Sequence, residues 1–198
     1  MELERALSDL EEVRDRLAHV QRFEGYSAPA AAVSGLCALI AGVAQLRITP
    51  NPKTPDDLHA YVAIWLSCLA VALALNYGAV AAWVVKRRGS AQSQFRSAAR
   101  SIAPSIALGG ALSLALIAHS AFALLPGTWF ALYAIGLFAS RGVIPRSALS
   151  IAFAFAALAV LFLITPFAPL ALSWWVMPLG FGAGQIGIGY LIWKDATP

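Results

Sequence analysis

The sequence contains little charge: only 12% of its 198 residues are Asp, Glu, Lys or Arg. An average soluble domain has about 25%. Hydrophobic residues make up 60% of the chain, and the mean hydropathy is +0.72. Intrinsic disorder is excluded, because a disordered chain combines low hydrophobicity with high charge. The apolar content also exceeds what one water-facing domain can bury, so the composition predicts a polytopic, all-α membrane protein.

Cysteine and histidine are also scarce, with two and three copies. Cys37 and Cys68 form no CxxC pair, which argues against a disulfide framework or a zinc ribbon. Haem held by two histidines and catalytic zinc both need several ligands, whereas only His119 lies deep in an apolar run. We therefore expect no catalytic residues, no enzymatic activity, no cofactor and no metal. The sequence also lacks a basic stripe with interleaved aromatic residues, so we expect no nucleic-acid partner.

Long apolar runs predict six membrane spans, since about 20 apolar residues cross ~30 Å of hydrocarbon. Together they make a six-transmembrane-helix bundle over residues 26–195. The fourth span reaches full length only if Arg141 extends to the lipid headgroups; otherwise this segment is re-entrant. We also predict a tight turn at residues 125–128, where Pro126 and Gly127 are adjacent. The predicted spans are about 27–46, 57–85, 102–125, 128–145, 147–165 and 171–193.

The distribution of Lys and Arg predicts the orientation of the chain. With six spans, twelve of these residues fall on one side of the membrane and two on the other. Cytoplasmic loops carry the excess of positive charge. We therefore expect both termini to be cytoplasmic, in a bacterial-type inner (plasma) membrane.

Residues 1–25 are the one strongly polar segment, with seven acidic residues and four arginines. Apolar residues at spacings of three and four form a single stripe, which predicts a cytoplasmic amphipathic helix. The cytoplasmic loop after the second predicted span carries five positive charges and no negative ones. Residues 1–22 either dock on this loop or present their stripe to a partner helix. Alternatively, the helix lies on the membrane surface and the loop binds anionic lipid headgroups. The five basic residues are Lys86, Arg87, Arg88, Arg96 and Arg100.

Few polar side chains interrupt the apolar runs, and each costs free energy in lipid unless it has a partner. Asn76 and Gln185 are predicted at similar depth, where they either line a path for a solute or bond to each other between packed helices. His119 and Tyr133 also fall at similar depth. They form either a structural hydrogen bond or, since histidine titrates near neutral pH, part of a proton-linked switch.

Glycines at spacings of three and four mark one face of the last predicted span, at Gly180, Gly184 and Gly187. Small residues allow helix backbones to approach closely in lipid. This face therefore favours tight packing within the bundle or between two copies of the chain. It also suits a helix that unwinds around a substrate.

Two functions are consistent with this sequence. The first is a non-catalytic membrane protein that acts by association, as a regulatory subunit or a small homo-oligomer, through residues 1–22 and the glycine face. The alternative is a small transporter or channel for a neutral or weakly polar solute. It is favoured by Asn76, His119 and Gln185, and by spans interrupted by Pro and Gly.

The orientation is testable by the accessibility of two engineered sites. In a chain with Cys37 and Cys68 replaced by Ser, we expect a tag placed after Pro198 and a cysteine from Ser93→Cys to be labelled only when spheroplasts are permeabilised. A tag reached from outside, together with a protected Ser93→Cys, would show an odd number of crossings and a re-entrant 128–145 segment.

Overall fold

The computed structural model describes residues 27–86, 90–141 and 144–196, with side chains described at 27–78, 103–141 and 144–195. Every regular element over these residues is helical, which confirms the predicted all-α class. The helix predicted for residues 1–25 lies outside this part of the chain. The helices are α1 (Ala28–Ile48), α2 (Pro55–Lys86), α3 (Ser90–Ala118), α4 (Leu125–Ala139), α5 (Leu149–Ile164), α6 (Ala168–Ala171) and α7 (Ala183–Ala196). A π-helical stretch at Pro178–Gly182, here called the π segment, leads into α7.

Local sequence explains where the first helices begin. The Ser27 hydroxyl caps α1 by accepting from the Ala30 N–H at 3.3 Å. At the start of α2, the Thr54 hydroxyl accepts from the Asp57 N–H at 3.2 Å, and the Asp57 carboxylate accepts from the Thr54 N–H at 3.1 Å. This reciprocal pair is a capping box, which satisfies backbone donors that a helix start leaves free.

Four of the described helical stretches are long and apolar enough to cross a membrane, which indicates a membrane protein. They are Ala28–Ile48, Pro55–Gly78, Phe122–Ala139 and Arg146–Ile164. The apolar part of α3, Ala103–Ala118, is shorter. Large apolar side chains lie exposed along these helices, including Ile40, Leu69, Leu114 and Phe153. Lipid is the solvent in which such a surface is favourable.

The side-chain pattern of α1 is the reverse of that in a soluble helix. Its buried face contains only Ala, Ser, Gly and Gln, while its Val, Leu and Ile side chains point outward. Because lipid is as apolar as leucine, hydrophobicity does not drive these helices together. Close packing of small residues and interhelical hydrogen bonds do so instead.

Helix α1 packs against the π segment and α7 through glycines. A methyl group added at Gly35 would lie 2.8 Å from the Gly182 carbonyl oxygen, and one at Gly189 would lie 2.8 Å from the Ala28 carbonyl oxygen. One at Gly42 would overlap the ring of Pro178. Glycine at these positions therefore sets the short distance between the two backbones.

The turn predicted at residues 125–128 is not formed. Helix α3 ends at Ala118, and the chain reverses at Ser120, which has a positive φ of 56°. The Ala121 N–H bonds to the Leu116 carbonyl at 2.8 Å and the Ser120 N–H to that of Ile117 at 3.0 Å, which is a Schellman ending. Pro126 instead lies in the first turn of α4, where a missing N–H costs nothing. The prediction failed because serine occupies the position at which glycine usually marks such an ending.

The last predicted span, 171–193, is divided. The short helix α6 ends at Ala171, the chain is irregular over 172–175, and a helical run follows over 176–196. Pro178 cannot donate a backbone hydrogen bond, and the π segment begins at this residue. The break and the π segment leave backbone groups that side chains must satisfy.

The glycine contact between α1 and the π segment predicts an asymmetric response to substitution. Gly42→Ala should lower the free energy of unfolding by about 1–3 kcal/mol, since the added methyl group meets a proline ring that cannot rotate away. The matched variant Gly78→Ala should be neutral or slightly stabilising, because nothing lies within 4 Å of the added atom. Unfolding in mixed micelles measures both, and equal stability of the two variants would contradict this packing.

Candidate intramembrane binding site

A cavity of about 330 Å³ lies between α1, α2, α3, α4, the π segment and α7. Its volume is at the lower end of the range for small-molecule sites, roughly 300–1,000 Å³. The lining is mostly apolar, and none of its described side chains carries a charge. The polar lining residues include Ser34, Ser105, Ser113, Tyr133, Ser140 and Gln185.

Two hydrogen-bonded pairs lie in the wall of the cavity. The Gln185 amide donates to the Tyr133 hydroxyl at 2.7 Å, which joins α7 to α4. The Trp129 indole N–H donates to the Ser113 hydroxyl at 2.8 Å, and that hydroxyl donates to the Gly109 carbonyl at 2.6 Å. These hydrogen bonds hold α3 and α7 against α4. The side chains that form them are therefore already paired with groups of the protein.

Ser140 differs from these pairs. It follows α4 directly, lines the cavity and is only 2% exposed. Its hydroxyl has no hydrogen-bond partner in the described part of the chain. Its oxygen is itself buried, and an unpaired polar group of this kind costs about 1–3 kcal/mol.

Asn76 and Gln185, which we expected either to bond to each other or to line a path, are separated. The Asn76 amide donates to the Ser34 hydroxyl at 2.7 Å and to the Ala72 carbonyl at 2.8 Å. Ser34 in turn donates to the Ala30 carbonyl at 2.8 Å. Asn76 therefore joins α2 to α1 beside the cavity, while Gln185 is part of the cavity wall.

His119 lies apart from the other predicted site residues. It follows the end of α3 and is exposed, away from the residues that line the cavity. The expected pair of His119 with Tyr133 does not occur among the described residues, where the Tyr133 hydroxyl accepts from the Gln185 amide. The reason is the position of the turn, which comes earlier than predicted and removes His119 from the interior of the bundle.

The glycine face of the last predicted span packs within the chain. An atom added at Gly180 would overlap the ring of Phe130, and one at Gly184 would lie 2.6 Å from the ring of Phe155. Gly187 faces Ile151 at 3.1 Å. These glycines therefore accept side chains from α4 and α5.

The predicted contact residues for lipid or a partner lie outside the part of the structure in which side chains are described. This applies to Lys86, Arg87, Arg88, Arg96 and Arg100, and to residues 1–22. The association of these two segments remains a prediction from the sequence.

Sequence reasoning missed a second buried polar cluster. Gln45 of α1 is fully buried and joins two other segments. Its amide donates to the Leu172 carbonyl at 2.7 Å, and its carbonyl oxygen accepts from the Trp65 indole N–H at 2.8 Å. One signal was available, because Gln45 lies near the end of an apolar run and a glutamine there costs free energy without a partner.

Comparisons of the chain with known protein families, with curated proteins and with solved structures found no match. The geometry of the cavity is therefore what bears on function.

The Gln45 cluster predicts a large loss of stability on substitution. Gln45→Leu leaves two buried partners unpaired, and each costs about 1–3 kcal/mol. Gln185→Leu removes a single bond at a half-buried position and should cost about 1 kcal/mol or less. Unfolding of both variants in mixed micelles compares the two losses, and a Gln45→Leu protein as stable as the Gln185→Leu protein would show that the cluster is not required.

Proposed function

We propose that this protein is a non-catalytic, six-crossing integral membrane protein that binds a small, uncharged, weakly polar molecule in the cavity, as a transporter or channel for such a solute does. The observation that carries this proposal is the cavity of about 330 Å³, whose described lining is mostly apolar and contains no charged side chain. Apolar walls with a few placed polar groups are typical of small-molecule sites.

Six crossings are supported by six helical stretches. Four are long and apolar, α3 contributes Ala103–Ala118, and the run over 176–196 contributes the last. An even number of crossings places both termini on one side. The excess of Lys and Arg there favours the cytoplasm, in an inner membrane.

The interrupted last helix supports the transport alternative over association. Met177 and Phe181, at the start of this helical run, line the cavity. Short π-helical turns often occur at functional sites, and transporters bind their substrates where a membrane helix is interrupted. The space beside the glycines that suggested self-association is filled by side chains of the same chain.

Filling the cavity tests the proposed function. Aminoanthracene, an uncharged fluorophore with one amino group, serves as the probe for the purified full chain in detergent. Gly110 lines the cavity, and an atom added there meets nothing within 4 Å. Gly110→Leu should therefore place its side chain in the binding space and weaken binding by about tenfold or more, equivalent to about 1.4 kcal/mol.

Gly78→Leu is the matched control. Gly78 also has open space around an added atom, but it does not line the cavity. This variant should bind aminoanthracene like the native chain. Absence of saturable binding to the native chain, or equal binding by both variants, would overturn the proposed function.

A further inference from the structure

Facing residues of α3 and α4 show that the cavity is elongated. Three neighbouring pairs fix the register of these antiparallel helices, and all six residues line the cavity: Ser113 with Trp129, Gly109 with Leu132, and Ser105 with Gly136. Ser105 and Ser113 are eight residues apart, which is about 12 Å along a helix at 1.5 Å per residue. The cavity therefore has one end at Ser105 and the other at Trp129.

Ser105 provides an accessible hydroxyl at the first end. Its oxygen would lie 3.7 Å from an atom added at Gly136, so it lies beside α4 in the wall that both residues form. Ser105 is half-buried, and its oxygen is not sealed from the cavity as that of Ser140 is. Within the described residues this hydroxyl has no hydrogen-bond partner. A molecule in the cavity can therefore bond to it.

The other end of the cavity is aromatic. The Tyr61 ring lies against both Trp65 and Trp129, which places the two tryptophans together. Both line the cavity, and their indole N–H groups are already bonded, at 2.8 Å each, to Gln45 and Ser113. At this end the two rings offer apolar surface to an occupant and no free donor.

The remaining polar groups of the wall restrict the chemistry of an occupant. The hydroxyls of Ser34 and Ser113 each accept one hydrogen bond and donate another within the protein. The Gln185 amide donates to Tyr133, and its carbonyl oxygen has no partner in the described part of the chain. That oxygen can only accept, whereas the Ser105 hydroxyl can accept or donate. A hydroxyl group suits both atoms, while a carbonyl group suits Ser105 alone.

We infer that the cavity binds an uncharged, elongated amphiphile in one orientation, with its hydroxyl group bonded to Ser105 and its apolar chain extended along α3 and α4 to the Trp129 end. Charge is disfavoured, because no described lining side chain could neutralise it and burying an unpaired ion is costly. Long-chain alcohols are the simplest molecules of this class. The inference rests on the proposed function and names its substrate class.

Decanol and decane test the hydroxyl anchor as a matched pair of probes. Their dissociation constants are measured by displacement of aminoanthracene from the purified full chain in detergent. Decanol should bind the native chain more tightly than decane does. Ser105→Ala should weaken decanol binding about three- to tenfold, the loss of one hydrogen bond, and leave decane binding unchanged. Unchanged decane binding also shows that the variant is folded.

Ser150→Ala is the control, since Ser150 is exposed on α5 and its hydroxyl bonds to the backbone carbonyl of Ser147. It should change the binding of neither probe. Equal weakening of both probes by Ser105→Ala, or decanol binding to the native chain no tighter than that of decane, would overturn the inferred anchor.

Brominated decanols test the orientation, because bromine quenches tryptophan fluorescence on contact. The full chain keeps Trp65 and Trp129 as reporters, and its other tryptophans are replaced by Phe: Trp83, Trp174, Trp175 and Trp193. Decanol with bromine on its last carbon should quench strongly and saturably. Decanol with bromine next to the carbon that bears the hydroxyl should quench several-fold less, although it displaces aminoanthracene equally well. Equal quenching by both would overturn the orientation.

These outcomes are distinguishable from failure of the proposed function. If aminoanthracene binds saturably and Gly110→Leu weakens that binding, the proposed function stands whichever result the alcohols give. Absence of saturable aminoanthracene binding rejects the proposed function itself, and the inferred substrate class with it.

Discussion

The side-chain amide of Gln45 connects α1 to the Trp65 indole of α2 and to the backbone carbonyl of Leu172. Helical geometry fails between α6 and the π segment, and the Val176 N–H bonds to Ser173 instead of Leu172. The carbonyl of Leu172 is left for the Gln45 amide, which also accepts from Trp65. In lipid there is no water to take this role, so a broken helix is stable only where a side chain supplies the missing partner. The interruption before the last helical run therefore depends on a glutamine of α1.

The same requirement shapes the cavity. Most of its polar side chains are used to hold helices together, through the pair of Gln185 with Tyr133 and the pair of Trp129 with Ser113. Within the described residues, these bonds remove most of the hydrogen-bonding capacity of the wall. A site built in this way selects by shape and by the absence of charge.

Close packing is unevenly distributed around the bundle. Glycines bring α1 against the π segment and α7, and aromatic rings from α4 and α5 fill the space beside Gly180 and Gly184. Helix α3 has one buried residue, Ser113, among its described side chains, and its other face is exposed. The same helix lines one side of the cavity, with Ser105, Gly109 and Ser113.

The sequence by itself determined the helical class, the membrane as solvent and the approximate bounds of α1, α2 and α5, because these follow from length, hydropathy and capping residues. It also singled out Tyr133 and Gln185, since polar side chains are conspicuous in apolar runs. Only the tertiary structure decided which polar groups meet. The turn at Ser120 carries no glycine to mark it, and its position moved His119 out of the interior. Partners such as Gln45 and Leu172 are 127 residues apart, so no local pattern could pair them. The unpaired state of Ser140 is likewise a property of its surroundings, because a hydroxyl is left unpaired only by the arrangement of every segment around it.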